Sequence, residues 1–382
     1  MDGTIIKLDI GEKMKSIATI TFHASHNYGS VLQAYALAKV MGNEGYNVKI
    51  INYRSQQQKA CYTLYKKYRG AKGALRNLYQ RLISGKLKRR YKGFEQFINN
   101  VLPVTEEVND EREMKKYASA FDCYVCGSDQ IWNPACQDFS SVYYLDFVDG
   151  KKRIAYAPSL GKGEFDGEHK ALIKNLLENI DDISVRERQG KALIEGLTDK
   201  SVELVCDPVI LLGKQGWEKV IPESKIKTPY MFVYFLENNH GDKGYIDLIA
   251  KTLGLKVVIL NENIKDIFKN YIKKYDALPL EFVSLIKNAS FVYTNSFHAT
   301  AFSTMFNVPC ASMIAKTDNV QNNNDSRKID FLTALGLEDC LKKSLTAEEI
   351  VALFKTDFEK ANEELDKLRE KSKNYLVKAI ES

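Results

Sequence analysis

A chain of 382 residues, 45% hydrophobic and 27% charged, is globular in composition and too long for one ordinary core, so two domains are expected. Runs of about 18 apolar residues are missing, which excludes a membrane-spanning helix, and the opening MDGTIIKLDIGEKMKS lacks the apolar centre of a signal peptide. The formal charge of +6 is unevenly held: Lys59 to Lys92 contains twelve Lys or Arg and no Asp or Glu, so the rest of the chain is mildly acidic. Seven scattered cysteines, mostly within apolar runs, fit a reducing, cytoplasmic compartment rather than a disulfide framework.

The first unit runs from Ile17 to Tyr53. IATITF predicts a strand and HASHNYGS a polar loop. Leu32, Tyr35, Ala36 and Val40 then fall at helical spacing before a second strand, VKIINY. Strand, glycine loop, helix, strand is a βαβ crossover, which implies parallel strands in a sheet covered by helices. In the basic segment 59–92, Leu64, Tyr68, Ala71, Leu75, Leu78 and Leu82 make one apolar stripe if helical, and Gly70 and Gly73 predict a break into shorter pieces. A helix near 93–100, the strand FDCYVC with its loop GSDQIWNP, the strand RIAYAPS, the helix HKALIKNLLENI and the strand DDISVRE complete a Rossmann-like domain over 15–200. VELVCDPVILL and a polar connector, 213–229, lead into a second alternating series. It comprises YMFVYFL, a helix over 242–254, KVVIL, a helix near 280–289, FVYT, a helix over 299–306 and PCASMI, and predicts a second Rossmann-like domain over 201–345. A long helix over 346–382 closes the chain, its start marked by a Thr346/Glu349 capping box.

In parallel α/β sheets, ligands sit beyond the carboxyl ends of strands, where helix N-termini present free N–H groups. Three loops meet that condition. In His26-Asn27-Tyr28-Gly29-Ser30, Asn27 and Gly29 suit a sharp turn and Ser30 an N-cap; a turn and cap without ligand explains the same residues. The glycines do not follow a dinucleotide fingerprint. His23 and His26 lack a third partner, so no metal is expected. After Gly127, the polar Ser128, Asp129 and Gln130 can hold hydroxyls, with Asp129 a general base or a turn cap. Cys123 and Cys126 point to opposite faces of their strand, which argues against zinc. In Asn295-Ser296-Phe297-His298, the histidine stands at a strand-to-helix junction and can exchange protons near neutral pH; a purely structural histidine is the simpler alternative. Arg186 closes the strand ISVRE, where an arginine pairs with an acid or binds an anion. Arg327, in the polar loop QNNNDSRK, is either an anion ligand or a solvated charge. Asp207-Pro208 reads as a helix N-cap with proline at the first position. Together these loops line a cleft suited to an anionic substrate.

Taken in order, NYGSVLQAYAL, GSDQIWNP, SVRE, CDPVILL and NSFHATAFSTMFNVP resemble the polysaccharide pyruvyltransferase family, over roughly residues 15 to 335. The resemblance implies two Rossmann-like domains facing a central cleft, as in the GT-B glycosyltransferases. It implies phosphoenolpyruvate as donor on the C-terminal domain and a sugar diol as acceptor on the N-terminal one. The product is then a pyruvate ketal on a bacterial surface-polysaccharide precursor. It further implies that His298 is catalytic and that Arg186 holds the donor, with Asn295 and Ser296 among the donor-binding residues. The acceptor falls to His26, Asn27, Tyr28, Gly29 and Ser30 and to Ser128, Asp129 and Gln130. Many members carry an arginine two residues before the histidine, where this chain has Ser296, and Arg327 is the candidate replacement. The reaction needs a proton donor, cations and a sugar pocket, but no metal or other cofactor. Acceptors of this kind are commonly lipid-linked, so the stripe of 59–92 reads as an interfacial helix for an anionic membrane, placing the protein peripherally on the inner face. Packing of that stripe on the protein itself is the alternative. Two other classes stay open: a nucleotide-sugar glycosyltransferase of the same architecture, and a non-catalytic nucleic-acid binder through 59–92, although the resemblance implies no nucleic acid.

Overall fold

The computed structural model describes residues 14–64, 70–161, 164–236, 243–261, 266–315 and 325–382. The first βαβ unit forms as its pattern dictates: β1 (Ser16–Ile20), α1 (Tyr28–Asn43) and β2 (Asn47–Ile50), the strands parallel and in register Ser16 to Asn47. The basic segment folds as α2 (Gln56–Cys61), α3 (Gly70–Leu82) and α4 (Ser84–Asn100), so the helix expected near 93–100 begins well before that point. Gly70 opens α3 at φ 79°, a conformation open to glycine and costly for most residues, whereas α3 runs unbroken through Gly73 and the break to α4 comes at Ile83. Then follow β3 (Cys123–Cys126), β4 (Lys152–Ala155), α5 (Gly167–Leu177), β5 (Asp182–Val185), α6 (Arg188–Glu195) and β6 (Val202–Leu204). β6 pairs with β5, so the first sheet extends to Leu204.

After α7 (Pro208–Glu218), the second domain contains β7 (Tyr230–Tyr234), α8 (Ile246–Leu253), β8 (Lys256–Ile259), β9 (Ile272–Lys273), α9 (Pro279–Lys287), β10 (Phe291–Thr294), α10 (Phe297–Met305), β11 (Cys310–Met313), α11 (Ser326–Ala334) and β12 (Leu341–Lys342). The expected single terminal helix is two: α12 (Ala347–Phe354), started by the Thr346/Glu349 capping box, and α13 (Glu359–Glu381). Helix α13 returns to the first domain, where Tyr375 donates to the Ala155 carbonyl at 3.2 Å and the Ser372 hydroxyl accepts from the Cys206 N–H at 2.9 Å.

Among the described residues the strands form two six-stranded parallel sheets, ordered β2-β1-β3-β4-β5-β6 and β12-β11-β10-β7-β8-β9. Strands such as CYVC, YMFVY and FVYT are buried along their whole length because helices cover both faces of each sheet. In the first sheet the order reverses between β1 and β3, and in the second between β7 and β10. Such switch points leave a crevice at the strand carboxyl ends. The loops that leave β1, β3 and β10 are the three singled out by sequence. The domains are pinned together by Tyr28, which stacks on Phe282 at 4.7 Å and donates to the Ala277 carbonyl at 2.8 Å. No described helix is long and apolar enough to cross a membrane.

Candidate active site

Strand β10 ends at Thr294, and the next turn is fixed by local hydrogen bonds. The Ser296 hydroxyl accepts from the Ala299 N–H and caps α10, whose first turn carries Phe297 and His298. Asn295 braces the turn: its amide accepts from the Leu236 N–H at 2.7 Å and donates to the Leu236 carbonyl at 3.2 Å. Cap and brace are what the structure shows for Ser296 and Asn295, and they set the position of His298.

His298 reaches across the cleft to α1. A β-carbon built on Gly29 would lie 2.0 Å from its Nδ1, so only glycine fits there. On the other side of the ring, Nε2 lies 3.5 Å from Oδ2 of Asp207, an ion-pair distance beyond a good hydrogen bond. Asp207 follows β6. Its Oδ1 accepts from the Val209 N–H at 3.0 Å and caps α7, as the sequence indicates, while its Oδ2 takes Nη1 of Arg186 and faces His298. Complete burial would raise this carboxyl's pKa, but the charges of His298 and Arg186 outweigh it and hold the group well below the usual range. Sequence reasoning gave Asp207 only the cap. Its position at the carboxyl end of a strand was the available signal for more.

Two buried arginines complete this side. Arg186, at the end of β5, lies 4.8 Å from the centre of the Phe297 ring, and Arg327, in the first turn of α11, lies 5.9 Å from it. Nε and Nη2 of Arg186 and Nε of Arg327 have no hydrogen-bond partner. Arg327 is 8% exposed, which removes the solvated-charge reading. Burial first, then the charge of Arg186, lowers its pKa to about 10. For Arg186, burial works downward too, but Asp207, Glu187 and Asp129 raise the net value. Arg186, Arg327, Phe297 and Asp207 line one cavity of about 60 Å³. His298 does not line this cavity, but buried guanidinium nitrogens without hydrogen bonds around an aromatic ring are groups able to receive an anion.

The first-domain loops are less uniform than their sequence suggests. Asn27, not Ser30, caps α1, accepting from the Gly29 N–H at 2.9 Å. Ser30 lies in the first turn and donates to Oδ2 of Asp129, which is held at φ 72°. With its amide oxygen turned toward the second domain, Gln130 accepts from Nη1 of Arg327 at 3.1 Å and bridges the cleft. Two expected acceptor ligands are engaged elsewhere. Tyr28 is the interdomain pin already described. Ser128 is fully buried, with its hydroxyl on the Ala157 carbonyl at 2.7 Å and its N–H on the Gln33 amide at 3.1 Å.

His26 opens onto a second cavity, of about 280 Å³, lined by Arg54, Gln58, Tyr62, Tyr91 and Glu95. Its Nε2 lies 2.7 Å from Oε1 of Glu95, which also takes a bidentate pair from Arg54 at 2.8 and 3.0 Å. The amide oxygen of Gln58 has no partner. Aromatic edges, carboxylates and an unpaired amide oxygen suit the hydroxyls and apolar faces of a sugar. None of this cavity except His26 was evident from sequence, although Glu95 is the first acid after the basic segment. His23 is structural: it lies 3.1 Å from the Thr21 carbonyl and 3.0 Å from the Asn52 amide oxygen, and burial lowers its pKa. Among the described residues no group of three His, Cys, Asp or Glu is placed to share a metal ion.

The sequence profile of the family described as polysaccharide pyruvyl transferase matches residues 27–315, a span containing every site residue named above except His23, His26 and Arg327. No curated protein matches significantly. Among solved structures, a putative UDP-N-acetylglucosamine 2-epimerase from Listeria monocytogenes aligns with a TM-score of 0.51 at 9% identity, covering 95% of this chain and 90% of that one. The glycosyltransferase SnogD from Streptomyces nogalater aligns with a TM-score of 0.50 at 12% identity, covering 96% and 100%. At such identities the likeness establishes the fold alone, a two-domain α/β arrangement of the GT-B kind.

Proposed function

The chain belongs to the polysaccharide pyruvyl transferase family, and from that membership we propose that it transfers pyruvate from phosphoenolpyruvate to a sugar diol on a lipid-linked surface-polysaccharide precursor, forming a cyclic ketal. The observation that carries the donor assignment is the pair of buried arginines. Arg186 and Arg327 hold nitrogens free of hydrogen bonds around Phe297, and phosphoenolpyruvate brings a phosphate and a carboxylate on one carbon. The N-terminus of α10 adds its dipole beside them.

In this reading His298 donates a proton to the methylene carbon of the donor, and the neighbouring carbon becomes electrophilic. One sugar hydroxyl adds to that carbon; the second displaces phosphate. Two carbon–oxygen bonds to sugar form, the bond to phosphate oxygen breaks, and the two hydroxyl protons end on the new methyl group and on phosphate. Asp207 faces His298 with a fixed negative charge, and the arginines, themselves buried, hold the anionic groups. Gly29 admits the imidazole against α1, bringing the acceptor loop, with His26, Asn27 and Ser30, next to the proton donor. Asp129 and Gln130 complete the acceptor side, and the cavity beside His26 takes the neighbouring sugar.

The test is to incubate the protein with phosphoenolpyruvate and a panel of lipid-linked saccharides, following phosphate release and the mass of the saccharide. Phosphate and a pyruvylated saccharide should appear together. Thermal stabilisation by a nucleoside diphosphate but not by phosphoenolpyruvate would end this reading in favour of a nucleotide-sugar donor.

A further inference from the structure

We propose that the edge formed by α3 and α4 docks on an anionic phospholipid surface. The inference goes beyond the transfer reaction, and its test requires no turnover.

Leu75, Leu78 and Leu82 are 57, 54 and 75% exposed. At 3.6 residues per turn they fall within an arc of about 60° on α3. The helix rests on the protein along the flank of this arc, where Tyr79, about 40° round from Leu75, and Gln80 beyond it are buried and the Tyr79 hydroxyl lies 3.3 Å from that of Tyr275. Three members of the apolar stripe expected from spacing, Leu75, Leu78 and Leu82, are turned outward, which removes the alternative that these three serve the core, while Leu64 is half-buried. Of the stripe's other members, Tyr68 lies outside the described residues, as do Lys66, Lys67 and Arg69.

The edge is continued by the second domain. Lys86 donates to the Lys273 carbonyl at 2.8 Å, Arg89 pairs with Asp276 at 3.1 Å, and a β-carbon on Gly93 would fall 2.1 Å from the Leu278 side chain. Lys273 in turn donates to the carbonyls of Ile267 and Lys269 at 3.1 and 3.0 Å, fixing the turn that exposes 96% of Phe268. Single exposed apolar residues are ordinary, but the three leucines, Ile267 and Phe268 are half of the ten large apolar side chains most exposed among the described residues. They stand on α3 and on the turn before β9, which are linked through Tyr79 and Tyr275 and through the contacts of α4 with residues 273–278.

Charge selects the occupant. Between Lys59 and Lys92 there are twelve cations and no acid, and Arg76, Arg81, Lys86, Lys88 and Arg89 are exposed on α3 and α4. A nucleic acid would match the cations but leave the leucines in water. An anionic leaflet matches both, because leucines enter the boundary of the acyl chains while Lys and Arg meet the headgroups. Docking there would also bring a lipid-linked acceptor close to its pocket, since α4 carries Tyr91 and Glu95 of the cavity beside His26.

The experiment is sedimentation of the full chain with vesicles of phosphatidylcholine alone or mixed with phosphatidylglycerol. Binding is expected only to the mixed vesicles at low salt, with release at high salt. The variants L75Q/L78Q/L82Q and R81Q/K88Q should each lower the partition coefficient at least about tenfold while remaining folded and keeping phosphoenolpyruvate affinity. A wild-type protein that ignores anionic vesicles at low salt overturns the proposal. So does a leucine variant that binds as well as wild type, because the attraction would then be unspecific charge alone. A wild-type dimer that the leucine substitutions convert to a monomer would assign the face to a second copy of the chain and overturn it too.

Discussion

A β-carbon on Gly29 would fall 2.0 Å from Nδ1 of His298, so the imidazole of one domain occupies the side-chain space of a residue in the other. Gly29 lies in the first turn of α1, where alanine would otherwise favour the helix by up to about 1 kcal/mol. The Gly29→Ala chain should therefore fold, but with the imidazole displaced or the cleft held ajar. Misplacement of a reacting group by about 1 Å costs on the order of a hundredfold in rate. Phosphate release with donor and acceptor should fall by at least about that factor, with an unchanged far-ultraviolet circular dichroism spectrum. Near-normal turnover would show that His298 reacts from another position.

His298→Ala should lower kcat by about a hundredfold or more, the range of a lost proton-transfer group, and weaken phosphoenolpyruvate binding less. Asp207→Asn separates two roles, because asparagine caps a helix about as well as aspartate but carries no charge. It should lower kcat by roughly tenfold or more, and it should lower Tm as well, since Arg186 is left buried without its partner. In the double variant kcat should be no lower than with His298→Ala alone, as expected of groups acting as one unit. Wild-type kcat in Asp207→Asn would reduce Asp207 to its cap.

The arginines should separate by stability. Arg186→Ala leaves His298 as the remaining counter-charge of the buried Asp207 and should cost stability, up to about 3–5 kcal/mol for a broken buried pair. Arg327 is different, because burial and the charge of Arg186 lower its pKa to about 10 and disfavour its cation. Arg327→Gln should leave Tm unchanged or raise it, yet weaken phosphoenolpyruvate binding by about 1.5–3 kcal/mol for a lost charge-assisted contact. Calorimetric titration of the donor alongside thermal unfolding reads both quantities. Unchanged donor affinity in Arg327→Gln would remove it from the site and leave the charge missing at Ser296 without a replacement.

The positions of the three site loops were legible because strands buried on both faces, such as FVYT and CYVC, write themselves as unbroken apolar runs, and the polar residues after them mark strand ends. Strands β9 and β12, two residues each, leave no such trace. Side-chain direction was the harder part. The cap made by Asp207 is a local bond and can be read from Asp-Pro, but its other oxygen meets His298, whose approach only the tertiary fold decides. Tyr28 and Ser128 lie in the expected loops, yet one pins the second domain and the other faces the core, since a loop pattern carries no information on where its members point. The leucine stripe of α3 was visible by spacing, but spacing cannot tell an inward stripe from an outward one.

Glu95 ties α4 to His26 in the loop after β1 and to Arg54 after β2. Partial burial would raise its pKa, but hydrogen bonds from His26 and then Arg54 bring it from the ordinary 4.5 down to about 2. A carboxyl whose pKa is depressed by folding adds stability that is complete above its unfolded value and is lost as pH falls toward the folded one. The window here is therefore pH 4.5 down to about 2. At neutral pH the shift is worth about 3 kcal/mol, reduced toward about 2 kcal/mol by solvent screening, since the side chain is 24% exposed. Glu95→Gln keeps the shape and one acceptor oxygen but removes the charge. In urea titrations it should be less stable than wild type by about 2 kcal/mol at pH 7, and the gap should shrink by roughly half at pH 3.5, where the unfolded wild-type carboxyl has taken up its proton. An equal gap at both pH values would mean that Glu95 acts through shape and packing, and that His26 is oriented by something other than its charge.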